Sequence, residues 1–72
     1  SHNLLEAKIE LLTYYTKNYF QTKNKNTLTK INNLLTEIEK HKQYNKTIKE
    51  KIENLIINIK QKEKINRNLF QE

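Results

Sequence analysis

No glycine and no proline occurs in this 72-residue chain. Together these two types normally make up about 12% of residues, and they supply most of the material for tight turns. Their absence argues against a hairpin-rich β fold, against βαβ units and against any Gly-rich loop that could cradle a phosphate. Helices remain, because they need no special backbone angles. Apolar residues are only 35% and charged residues 31%. A compact core is hard to build from one chain of this size even with average composition.

Several chemistries are removed by what else is missing. With no Cys there is no disulfide framework, no thiolate zinc site and no cysteine nucleophile. The two histidines, His2 and His41, are too few and too far apart for a metal cluster. No stretch of 18 apolar residues is present, so no membrane-spanning helix is expected. No signal-peptide pattern opens the chain, and the absence of Cys is compatible with a reducing compartment. The expected location is intracellular, in the cytoplasm. Lys, Asn and Ile fill 33 of the 72 positions, the bias that AT-rich codons produce. Ser1-His2 reads as a remnant of cloning, and the chain as a piece of a longer protein.

Charge is unevenly placed. The net value is +6. Residues 1–22 carry Lys8 and Lys17 against Glu6 and Glu10, which cancel, so the whole excess lies in residues 23–72. Such an imbalance can attract nucleic acid or anionic lipid, but a Lys-rich solvated helix surface is the preferred account of it. Neither nucleic acid nor membrane is an expected partner.

Residues 3–22 read as an amphipathic, aromatic-rich helix. Leu5, Ile9, Leu12, Thr16 and Tyr19 follow alternating four- and three-residue spacing. Leu4, Leu11 and Tyr15 widen the apolar stripe beyond a narrow seam. Asn3 followed by Glu6 gives a start resembling a capping box. Tyr14, Tyr15, Tyr19 and Phe20 gather four aromatics in seven residues, a candidate anchor for a protein partner. Residues 23–27 form a polar junction. Its Asn residues tolerate left-handed angles and permit a reversal. The restart signal is weak, since neither Thr27 nor Thr29 has Glu or Gln three residues later. A continuous helix is the preferred reading there, with a hairpin as the alternative.

Residues 28–70 carry a heptad pattern. Position a falls at Ile31, Ile38, Asn45, Ile52, Ile59 and Asn66. Position d falls at Leu34, His41, Ile48, Leu55, Lys62 and Leu69. Eight of these twelve residues are apolar, against one, Ile57, among the eighteen at b, c and f. A period of 3.5 keeps one seam facing a partner along a supercoil. The pattern repeats after 21 residues: each block has three apolar layers, two polar and one apolar. The register of residues 3–22 is one residue out of phase with it, so something changes near residues 20–28. Leu28, Leu35, Ile56 and Phe70 at e widen the seam further.

The expected fold is therefore all-α: an extended coiled coil, preferably a parallel homodimer. A trimer, a tetramer or a helical hairpin bundle would cover the same stripe. Ile31, Leu34, Ile38, Ile48, Ile52, Leu55, Ile59 and Leu69 are the expected oligomer core. His41, Asn45, Lys62 and Asn66 are the expected polar layers that fix register. Isolated helices of ordinary composition are marginal in water, so helix formation and association are expected to be coupled.

No catalytic constellation is apparent. Glu37 and His41 are four apart, but one carboxylate and one imidazole make a weak metal signal. No hydroxyl has a base beside it in the pattern of a nucleophile pair. No enzyme, cofactor or metal is expected. The expected function is oligomerisation or scaffolding within a larger protein, the partner being a second copy. The alternative is a module that docks a different helical protein through the aromatic helix or the coil.

Overall fold

The computed structural model describes residues 4–70, with side chains described for residues 4–66. The described residues form three helices and no strand: α1 (Leu4–Thr22), α2 (Lys25–Glu39) and α3 (Lys46–Phe70). The all-α expectation holds. Asn3, half of the expected capping box, and the side chains of Leu69 and Phe70 lie outside the described residues.

The chain reverses at residues 23–24, where a continuous helix was the preferred reading. Lys23 stands in the left-handed region at φ 57°, and its N–H donates to the Tyr19 carbonyl at 2.7 Å. That is the single-bond termination in which the residue after the cap turns left-handed. Asn24 then starts α2. Its backbone is extended, and its side chain accepts from the Asn26 N–H at 2.9 Å. Its carbonyl takes the N–H groups of Thr27 and Leu28. The one-residue phase slip between the segments is thus resolved by turning back.

A second reversal, residues 40–45, interrupts the heptad segment. Lys40 keeps right-handed angles (φ −83°, ψ −9°). The His41 N–H reaches the Ile38 carbonyl, and the Tyr44 N–H the His41 carbonyl, both at 3.0 Å. Asn45 restarts the helix: its Oδ1 accepts from the Ile48 N–H at 2.9 Å, the N-cap bond. A single helix over residues 28–70 would be about 64 Å long at 1.5 Å per residue. The longest dimension of the molecule is 47 Å, so the extended rod is replaced by a folded-back bundle.

With two reversals, α2 runs against both neighbours and α3 runs with α1. The first helix is the centrepiece. It packs against α2 and against α3, whereas among the described residues no Cα of α2 comes within 8 Å of one in α3. Leu5, Ile9 and Leu12 from α1 meet Ile31, Leu34 and Ile38 from α2 and Ile52 from α3 in one buried cluster. Leu12 and Ile38 are fully buried. The 4-3 spacing in each helix explains this, because those positions fall on one face.

Two threonines enter the core with their hydroxyls bonded. Thr16 Oγ1 donates to the Leu12 carbonyl at 2.7 Å, and Thr27 Oγ1 to Asn18 Oδ1 at 3.1 Å. Among the described residues no buried side-chain polar atom lacks a partner.

Candidate interaction surface

The expected oligomer core is largely covered within one chain. Ile31, Leu34, Ile38, Ile52 and Ile59 are buried, and Ile48 and Leu55 are half-buried. The covering residues are those of α1, which the helical spacing of Leu5, Ile9 and Leu12 already placed on one face.

The expected polar layers have other places. His41 and Asn45 lie in the second reversal, not in a seam. His41 Nδ1 accepts the Gln43 N–H at 3.2 Å, and Asn45 caps α3. Lys62 and Asn66 are exposed on the far part of α3. There α3 passes the end of α1, as the shared hollow of Phe20 and Lys23 with Lys60, Glu63 and Lys64 shows. The first polar pair of the 21-residue repeat therefore marks the turn, and the second lines the open groove beside the end of α1.

The aromatic cluster is divided. Tyr14 points outward with 65% of its surface exposed. Tyr15, Tyr19 and Phe20 are half-buried. Tyr14 and Tyr15 meet edge to face, as do Tyr19 and Phe20, each pair with centroids 5.7 Å apart. Lysines lie over these rings: Lys23 Nζ is 4.9 Å from the Phe20 centroid, and Lys30 Nζ is 5.4 Å from that of Tyr15. Such contacts are attractive through the ring quadrupole. They use the nearest cations on intramolecular packing.

Two open hollows flank the core. Between α2 and α3 lies a trough of about 240 Å³, with Ile38 and Ile52 at its floor. Leu35 and Ile56, both at e, form its sides, and Tyr44 closes one end. Glu39, Lys49 and Glu53 stand at the rim. This is the width that the e positions added to the seam. Along α1 and α3 runs a longer groove of about 790 Å³. Leu55 and Ile59 line it among the polar side chains of Thr13, Lys17, Gln21, Asn58 and Lys62. Its two carboxylates, Glu50 and Glu63, are 13 positions apart on α3. That is about 20 Å along the helix, too far for the paired carboxylates of acid–base hydrolysis.

Further apolar surface is left bare. On α1, Leu4 is 63% and Leu11 43% exposed, in line with Tyr14. Ile57 and Ile65 project from α3 at 51% and 58%. Sequence reasoning grouped Leu4 and Leu11 with the buried stripe. Their place on the outward flank follows from the 100° step of a helix, which separates Leu4 from Leu5 and Leu11 from Leu12. Among the described residues no three His, Cys, Asp or Glu side chains gather as a metal site would need. No helix among them is long and apolar enough to cross a membrane.

Comparison with protein-family models, with curated proteins and with solved structures gives no match.

Proposed function

We propose that the chain is a non-catalytic association module that holds copies of its parent protein together. One observation carries this reading. A single copy leaves apolar side chains of α2 and α3 incompletely covered: Leu35, Ile48, Leu55 and Ile56 stay half-buried, while Leu28, Ile57 and Ile65 stay exposed. Large apolar area at a surface favours association, at roughly 25 cal/mol per Å² removed from water. The reading departs from the sequence expectation in one respect. Helix formation does not have to wait for a partner, because α1 gives α2 and α3 a face to pack on within the chain.

A docking role toward a different helical protein is the second reading. The outward line of Leu4, Leu11 and Tyr14 on α1 favours it. Light scattering on the chain alone separates the two. A mass that rises with concentration toward a whole multiple of one chain supports self-association. A strictly monomeric mass at every concentration removes it and leaves the docking role.

A further inference from the structure

We propose that residues 40–45 are a hinge, and that two copies of the chain associate by exchanging α3 across it. This rests on the self-association reading and names the partner, a second copy, and the way it binds.

The first argument is phase. Ile38, near the end of α2, and Ile52, in α3, are 14 residues apart, two whole heptads. Two helices joined by a turn have no need of such a relation, since each can begin its apolar stripe anywhere. The other reversal in the same chain provides the contrast. At residues 23–24 the phase slips by one residue and Lys23 adopts φ 57°. At residues 40–45 the phase is kept. Lys23 is the one residue with positive φ among those described, so none lies in the second turn. The turn contains neither Gly nor Pro. Its backbone can join α2 to α3 as one helix without leaving a left-handed well or meeting a proline.

The second argument is register. Once the turn straightens, two copies can lie antiparallel with Gln43 at the centre. Position a then meets position d in every layer. Ile38 faces Ile48 of the second copy, Leu34 faces Ile52, and Ile31 faces Leu55. At the middle His41 faces Asn45, polar against polar. Inside one copy the two helices are also antiparallel but about one turn out of this register and apart: Ile38 lies with Ile52 at the floor of the trough, and among the described residues no Cα of α2 comes within 8 Å of one in α3. Exchange therefore closes the open trough into a seam while leaving α1 as the neighbour of both helices. α1 stays on its own α2, tied by the Lys8–Glu37 ion pair at 3.1 Å and the Thr27–Asn18 hydrogen bond. It covers α3 of the second copy as it now covers its own. The gain is a helix continued through residues 40–45 and a central layer that a single copy lacks. Domain exchange at such a hinge is a low-cost route to a dimer.

The test uses the full chain, which has no cysteine of its own, so that a single introduced thiol carries one spin label. Gln43→Cys and Lys64→Cys are labelled separately, and distances between copies are measured by dipolar spectroscopy. Exchange predicts labels at 43 within about 20 Å of each other, since packed helices lie roughly 10 Å apart. Labels at 64 should be about 63 Å apart, twice 21 residues of helix rise. A companion variant inserts two glycines between Lys42 and Gln43. It lengthens the turn, which a single copy tolerates, but breaks the antiparallel register. The expected result is an unchanged monomer by circular dichroism and a dimer fraction reduced at least tenfold. A dimer with the labels at 64 close together, or one indifferent to the insertion, overturns the exchange and leaves self-association standing. A chain that stays monomeric at every concentration overturns both.

Discussion

Thr27, at 8% exposure, donates its hydroxyl to Asn18 Oδ1 across the first reversal at 3.1 Å. The bond joins α1 to α2 nine residues later. It also explains how a threonine can stand buried on the core face of α2, one turn before Ile31. Thr27→Val keeps the shape and removes the donor, leaving the half-buried Asn18 oxygen without it. An unsatisfied group of this kind costs about 1–3 kcal/mol. The expected outcome is a lower urea midpoint with an unchanged slope, read by circular dichroism.

Lys23 holds left-handed angles that a non-glycine residue adopts at a cost of about 1–2 kcal/mol. Lys23→Gly relieves that cost, since glycine is the usual residue at this position of a helix terminus. The substitution also removes the contact of Lys23 Nζ with the Phe20 ring, worth roughly 0.5–1 kcal/mol at an exposed site. The net expectation is a gain of about 0–1.5 kcal/mol. Thermal unfolding should show a rise of a few degrees, because about 1 kcal/mol moves the midpoint of a domain this small by roughly 4–8 °C. A fall in the midpoint would show that the reversal does not stand at residue 23.

Leu11 and Leu12 are neighbours with opposite fates: 43% and 0% exposed. Leu12→Ala should cost about 2–5 kcal/mol through lost transfer energy and a cavity. Leu11→Ala should change stability by about 0.5 kcal/mol or less. Denaturant titration of the two variants reads the orientation of α1 directly. Equal losses would mean that another surface covers Leu11.

Lys8→Gln breaks the ion pair with Glu37. Both side chains are accessible, at 25% and 57%, and exposed pairs are worth about 1 kcal/mol at most. The expected loss is small and shrinks further in high salt. A large loss would point to a pair shielded from solvent.

The helical class was legible from the residues, because Leu5, Ile9, Leu12, Ile31, Leu34 and Ile38 repeat at helical spacing. The boundaries were less legible. A heptad pattern reports which face is covered, not whether the cover comes from the same chain. Both reversals were written in asparagine. The restart signal was sought at Thr27 and Thr29, whereas Asn24 is the residue that caps α2. Asn45 sits at an a position, where a register layer and an N-cap look alike. His41 and Asn45 as consecutive polar layers were the signal for the second turn. Without a glycine or proline nothing else marked it. For the surface, the e positions Leu35 and Ile56 did announce the trough. The outward turn of Leu4 and Leu11 was hidden by a stripe that seemed merely wide.

The central claim is that α1 shields the Ile and Leu of α2 and α3 within one copy, and that association comes on top of that fold. Small-angle scattering over a dilution series tests it most directly. Extrapolated to zero concentration, the radius of gyration should approach the compact value of 13.5 Å, with mass rising as concentration rises. A limiting value near 26 Å, expected for an unfolded chain of this length, would contradict it: cover would then come only from another copy.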